Sequence, residues 1–231
     1  MSFDLLAPHY PWMENILAQG KLQRCRLHGL EAALEAKEIL LLGEGHGRFL
    51  EVLGKQQCQG RITCIDSSAG MLQVAEARAM KCGMAEKQVE FIHADVLDWN
   101  LPQEKYDFIA THFFLDCFDR DGLRKVVEKL GRAGIPGCVW HIADFACPAK
   151  GWKRLRAKAI LWLMYRFFRQ VTKLSARKLL DPRSMIRGAG FVEFSRMESE
   201  WGLLRSTLWR KGPGRDGGRS LTAHGTSLSL D

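Results

Sequence analysis

The chain has 231 residues, 46% of them apolar, and a formal net charge of +8, a length and composition that fit one globular domain with a full core. Seven scattered cysteines, odd in number and never in CxxC spacing, argue against a disulfide scaffold or a thiolate metal site and read as the reduced thiols of a cytoplasmic protein. No apolar run reaches the roughly 20 residues of a spanning helix, no leader-like segment opens the chain, and no internal repeat is evident.

The predicted elements alternate along the chain. Residues 11–36 have helix-compatible apolar spacing at Ile16, Leu22, Leu27, Leu30 and Leu34, broken near Gly20, and predict a helical N-terminal cap over 1–36. Then come a strand at 38–42, a helix at 47–57, a strand at 61–65, a helix at 68–82, strands at 89–93 and 105–111, a helix at 121–132 and a strand at 137–143. Such alternation predicts parallel strands with crossover helices, hence an α/β, Rossmann-like three-layer sandwich. Residues 150–189 read as a helical insert whose main helix runs from about Trp152 to Gln170, with a further short helix after Pro182. The runs FVEFS at 191–195 and LLRSTLW at 203–209 lie too close for a helical crossover and predict an antiparallel hairpin closing a seven-stranded, mostly parallel sheet. One domain therefore spans 1–211, and the Gly- and Ser-rich residues 212–231 read as a disordered tail.

The excess charge is local. Between Lys150 and Arg187 twelve Lys and Arg face the single acid Asp181. A basic segment interleaved with Trp, Tyr and Phe points to a membrane surface, an acidic substrate or a solvated helix face rather than to a uniformly nucleic-acid-binding protein.

The segment ILLLGEGHGRFL at 39–50 is the clearest carrier of chemistry. An apolar strand ending in closely spaced glycines and reopening as a helix delivers backbone amides to a ligand, since glycine alone turns there without a Cβ penalty. Asp66 ends the next apolar run roughly 20 residues on, where a carboxylate can bridge ribose hydroxyls. A nucleoside cofactor across two adjacent strand ends follows. A nicotinamide dinucleotide fits poorly, because the third glycine of its fingerprint is Leu50 or Arg48, depending on the glycine counted from.

These residues, with those that follow, resemble the class I S-adenosylmethionine-dependent methyltransferases over roughly residues 3–210. Gly43, Glu44, Gly45, His46 and Gly47 match the glycine part of the family's first motif. Leu41 stands where the family has an acid that helps hold the methionine amino group, and Glu44 is the available substitute charge. IDSSAGMLQVAEAR resembles the second motif: Asp66, with Ser67 beside it, would take the ribose hydroxyls, and Met71 and Leu72 the adenine edge. HADVLDW is similar to the third, which makes Asp95 the acceptor for the adenine amino group, flanked by backbone at Ala94 and Val96. KYDFIATHFFLDCF resembles the fourth, placing Thr111 and His112 near the sulfonium, and GIPGCVWHIADF resembles the fifth strand, ended by Asp144. The opening FDLLAPHYPWMENILAQGKLQRCR resembles the branch containing ubiquinone and menaquinone biosynthesis methyltransferases, whose N-terminal helices would bring Tyr10 near the cofactor.

The resemblance implies S-adenosylmethionine as cofactor and no metal. Methyl transfer chiefly needs alignment, a dry site and a proton acceptor; His112 is the first candidate for the last role, His141 and Asp144 the second. The apolar helix at 152–169 with basic ends fits a lid over a small lipophilic acceptor, a helix lying on a membrane, or a helix buried against the sheet with snorkelling basic ends. A non-catalytic cofactor-binding homologue and an RNA methyltransferase are the alternatives. Against the latter, no Asn-Pro-Pro-aromatic signature or added nucleic-acid module is present.

Overall fold

The computed structural model describes residues 20–148, 150–172 and 179–213. Tyr10, the first part of the N-terminal cap and nearly all of the tail lie outside the described residues.

Seven strands form one sheet in the order β3-β2-β1-β4-β5-β7-β6. They are β1 (Glu38–Leu42), β2 (Arg61–Asp66), β3 (Val89–His93), β4 (Tyr106–His112), β5 (Gly134–Phe145), β6 (Phe191–Ser199) and β7 (Leu204–Lys211). The first five run parallel, and β7 lies antiparallel between β5 and β6. The sheet is thus mostly parallel with an antiparallel hairpin at one edge.

β1 explains the layering. Its sequence EILLL is apolar on both faces, as a central parallel strand must be when helices cover both sides. Ile39 and Leu41 enter a front core with Phe49, Leu50, Leu53 and Phe108. Leu40 and Leu42 enter a back core with Ile109, Trp140, Val126 and Leu130. The front is covered by α3 (Arg48–Lys55) and α4 (Ala69–Lys81), the back by α5 (Arg120–Ala133). Each fully buried Leu or Phe contributes about 1.5 to 3 kcal/mol, so the alternation on this one strand ties all three layers together.

The N-terminal cap contains α1 (Lys21–Leu27) and α2 (Leu30–Leu34). Leu22 and Cys25 of α1 pack on Ala143 and Leu204. Gly29, between the two helices, is a forced small residue: a Cβ there would lie 2.5 Å from the His141 ring.

Two boundaries depart from the sequence reading by more than two residues. β5 starts at Gly134 rather than 137, because Pro136–Gly137 forms an irregularity within the strand, with Gly137 at φ +84° and the register to β4 shifting between Tyr106 and Phe108. β6 runs on to Ser199, so the predicted loop at 196–202 shrinks to a short turn, Glu200–Gly202, with positive φ throughout. RMES looked polar because it alternates along an edge strand, where outward side chains meet water and pair, as Arg196 does with Glu193 at 2.6 Å.

Two helices follow β5. The first, α6 (Gly151–Thr172), precedes the short α7 (Arg183–Gly188). Ala157 and Leu161 of α6 are buried against Leu203, with Phe145 and Cys147 packed alongside. This anchors the helix beside the C-terminal end of β5.

Candidate cofactor and acceptor site

After Leu42 the chain turns through Gly43, Gly45 and Gly47 at φ +62°, +61° and +79°, a region that costs other residues about 1 to 2 kcal/mol each. The glycines differ in what surrounds them. A Cβ on Gly43 would lie 2.2 Å from the Phe114 ring and one on Gly47 2.9 Å from the Ala75 Cα, whereas one on Gly45 would meet nothing within 4 Å. The turn is wedged at both shoulders and open at its crest.

Asp66 closes the turn from the neighbouring strand. Its Oδ2 accepts the Gly45 N–H at 3.0 Å and its Oδ1 the Ser68 N–H at 2.9 Å. Burial pushes the carboxyl upward in pKa, and the amides of Ser68, Gly45 and Ser67 counter that. An ionised carboxylate has about four acceptor positions, so lone pairs remain for ligand hydroxyls. Ser67 itself is half-buried, with its carbonyl 3.2 Å from His93 Nε2.

Glu44 is not at the loop surface. It is buried, and its Oε1 accepts the N–H groups of Phe49 at 2.5 Å and Leu50 at 3.3 Å. These are donors that the first turn of a helix leaves unpaired, and a carboxylate there also complements the helix dipole. The start of α3 is therefore satisfied from within the chain. Leu41, at the family's acid position, is fully buried in the front core.

Beside Asp66, the Ala94 N–H donates to the Asp66 carbonyl at 3.0 Å. Half-buried Asp95 holds its own turn by accepting the Leu97 N–H at 2.9 Å, and Val96 sits in the back core. Met71 and Leu72 are both buried, yet only Leu72 belongs to the front core. The structure thus gathers the glycine turn, Asp66, Ser67, Met71, Ala94, Asp95 and Val96 around the ends of β1, β2 and β3.

The expectations for β4 and β5 change more. Thr111 is fully buried, and its Oγ1 accepts from Trp140 Nε1 at 3.0 Å on the back face. His112 and His141 point to the front face instead of standing open in a crevice: they are 4% and 0% exposed, and His112 Nε2 lies 2.9 Å from His141 Nδ1. Burial drives both imidazoles well below their ordinary pKa, which keeps them neutral. Alternation on β4 decides these directions, since Ala110 and His112 share a face that Thr111 does not.

Asp144 has a partner that the sequence reading missed. Asp116, in the short helical turn Leu115–Cys117 after β4, donates its N–H to Asp144 Oδ2 at 3.2 Å. Burial and the Asp116 carboxyl raise Asp144 well above the usual carboxylate range. A neighbouring carboxyl disfavours a second negative charge, so Asp144 keeps its proton more readily than an ordinary aspartate. The signal lay in the sequence, in FFLDCF, but only the fold brings Asp116 to the end of β5.

A glycine turn braced by a carboxylate on the next strand of a doubly wound sheet is an arrangement that can seat a nucleoside. The relatives sharpen that reading. Residues 39–137 match the family described as "Methyltransferase domain". A demethylmenaquinone methyltransferase of Thermotoga maritima is 30% identical over 137 residues, covering 56% of this chain and 57% of its own. The chain thus spans little more than half the length of that curated relative. N-methyltransferase NodS from Bradyrhizobium japonicum WM9, solved with S-adenosyl-L-homocysteine, superposes with a TM-score of 0.63 at 15% identity, covering 87% of this chain and 91% of its own. An O-methyltransferase family protein from Burkholderia thailandensis gives 0.65 at 15% identity, over 90% and 60%. Residues 39–137 are thus similar to methyltransferase domains, and the fold as a whole is shared with these two solved structures.

Proposed function

We infer that the protein transfers a methyl group from S-adenosylmethionine to a small, hydrophobic acceptor. The observation that carries this reading is the turn at 43–47, open over Gly45 and closed round Asp66. The residues fit the cofactor: Asp66 has lone pairs for ribose hydroxyls, Asp95 and the backbone at Ala94 and Val96 flank an adenine position, and Met71 is buried outside the front core. The bound cofactor would supply a methyl on a positively charged sulfur.

What the chain does is alignment and proton handling. Asp144 lies at the end of β5 and Asp116 in the turn after β4, and with Asp144 raised by burial and by the Asp116 carboxyl the two would hold one proton between them. The ionised member can accept a proton from an acceptor hydroxyl or activated carbon. His112 and His141, buried and neutral, support the strand ends from below.

The acceptor class rests on α6. Trp152, Leu155, Trp162 and Leu163 are 60%, 72%, 65% and 63% exposed on this helix, which also carries Lys153, Arg154, Arg156, Lys158 and Arg166 and no acid. Arg156 stacks over Trp201, 4.4 Å from the ring centroid, and Trp152 lies 5.9 Å from Trp201. Exposed aromatics flanked by cations are the composition of a helix that rests on an anionic lipid surface. Among the described residues no helix is long and apolar enough to cross a membrane, so the contact would be peripheral. It would place the strand ends beside a source of lipophilic acceptor.

Transfer of labelled methyl into lipid and quinol extracts, compared with RNA, tests the acceptor. Label entering only RNA would overturn it. Titration calorimetry with S-adenosylhomocysteine tests the cofactor. Asp66→Ala should weaken binding by about 1 to 3 kcal/mol, the cost of leaving buried polar groups unpaired; unchanged affinity would count against the site.

A further inference from the structure

Five side chains form one unbroken chain of hydrogen bonds across the front of the sheet. His112 Nε2 meets His141 Nδ1 at 2.9 Å, and His141 Nε2 meets the Ser206 hydroxyl at 2.8 Å. The same hydroxyl meets His28 Nδ1 at 2.9 Å, and His28 Nε2 meets the Ser195 hydroxyl at 2.9 Å. The chain crosses β4, β5, β7 and β6, from the interior to the edge of the sheet. His141 and Ser206 are fully buried, while His28 and Ser195 are half-buried. At the inner end His112 Nδ1, buried and making no hydrogen bond, lies 3.8 Å from Glu44 Oε2.

Hydrogen counting restricts this chain to two states. A neutral imidazole has one N–H and one bare nitrogen, and a hydroxyl has one proton to donate. If Ser206 donates to His28, then His141 must donate to Ser206 and His112 to His141, which leaves His112 Nδ1 bare towards Glu44. If Ser206 donates to His141, every bond reverses and His112 Nδ1–H points at Glu44. The first state suits a protonated Glu44 and the second an ionised one.

We propose that Glu44, His112, His141, Ser206, His28 and Ser195 form a proton relay that lets the carboxyl beneath the glycine turn exchange its proton with solvent at the β6 edge. In the outward direction Glu44 gives its proton to His112 Nδ1, while the Nε2 proton of His112 passes to His141 Nδ1. The Nε2 proton of His141 passes to Ser206, and that of Ser206 to His28 Nδ1. The Nε2 proton of His28 then passes to Ser195, whose hydroxyl proton leaves to water. Each imidazole gains a proton on one nitrogen and loses one from the other, each hydroxyl gains one and loses one, and Glu44 ends ionised. Inward transfer reverses every step.

The surroundings leave Glu44 free to change charge. Arg26 and His46 favour its ionised form, burial opposes it, and Asp66 and Cys64 on β2 face the same region. The main chain of Cys25 also hydrogen-bonds His141, and Arg26 disfavours a charge on His112, so the imidazoles conduct without storing the proton. Resting on the proposed function, the relay would let Glu44 ionise when a cation binds over the turn and regain its proton when that charge is gone.

Imidazole 15N NMR on the full ligand-free chain tests the relay separately from cofactor binding. Ser195→Ala at the outer end should shift the Nδ1 and Nε2 resonances of His112, four hydrogen bonds away, towards a single tautomer. Ser206→Ala should slow solvent exchange of the His112 ring proton by about tenfold or more, the scale of one lost hydrogen bond. His112 signals unchanged in both variants, with folding and homocysteine-cofactor affinity retained, would overturn the relay and leave the proposed function standing.

Discussion

The strand ends fall into two halves that share main-chain support for their carboxylates and differ in what else faces them. At β1 and β2, Asp66 and Glu44 are held by main-chain N–H groups, from Gly45 and Ser68 and from Phe49 and Leu50. At β4 and β5, Asp144 also accepts main-chain N–H groups, from Phe145 and Asp116, but burial raises it and the Asp116 carboxyl beside it raises it further. Main-chain donors are rigid and permanent, so the first half is preorganised for a ligand of constant shape. The second half adds a carboxyl neighbour, so its charge depends on protons, which would suit an acceptor that must lose one.

The largest test of the contrast is Leu41→Asp, which places an acid where the methyltransferases that the chain resembles carry one. Because Leu41 is fully buried in the front core, with Glu44 already on the first amides of α3, the new charge has no partner. Chemical denaturation should show a loss of about 3 to 5 kcal/mol, with no gain in cofactor affinity. A tolerated aspartate that tightens binding would show that the front core can open to seat a charge at this position.

Within the turn, Gly43→Ala should cost more than Gly45→Ala. Both glycines have φ near +60° and pay the left-handed penalty of about 1 to 2 kcal/mol. Only the Gly43 Cβ would also strike the Phe114 ring, so its loss should be about 1 to 3 kcal/mol larger, as for other overpacked sites. Equal costs in thermal denaturation would mean that the turn adapts.

Asp144→Asn probes the other half through pH. Its folded pKa is raised, so both folded and unfolded forms are protonated at low pH and the group costs nothing there. Stability falls as pH climbs from the unfolded value through the raised folded one. The asparagine variant removes that penalty: it should match wild type in acid and exceed it at neutral pH, while methyl transfer falls. A variant less stable than wild type at neutral pH would contradict the shared-proton pair.

The smallest effects belong to α6. Replacing Lys153, Arg154 or Lys158 singly by Ala should weaken binding to anionic vesicles by about 1 kcal/mol per charge, fading with salt. Equal and negligible pelleting of wild type and a triple variant would remove the membrane reading.

How legible the molecule was depends on the range of the interaction. β1 and β3 were placed to the residue, because short apolar runs bounded by glycine or polar residues read locally. The glycine turn and Asp66 were legible for the same reason, since a left-handed bend and a carboxylate at the tip of the next strand leave a spacing in one dimension. Helix α6 was recognisable as basic and aromatic, but only packing on Leu203 showed which apolar residues stay outside.

Chemistry made by residues far apart in the chain was not legible. Asp116 and Asp144 are 28 positions apart, and His28 reaches Ser206 across 178. Local periodicity and turn chemistry settled the elements, their parallel order and the cofactor turn, because those depend on neighbours within a few residues. The carboxyl pair, the buried directions of Thr111, His112 and His141, and the hydrogen-bond chain to Ser195 were decided by tertiary structure. Strand register and face brought those groups together, and the same partners set their protonation.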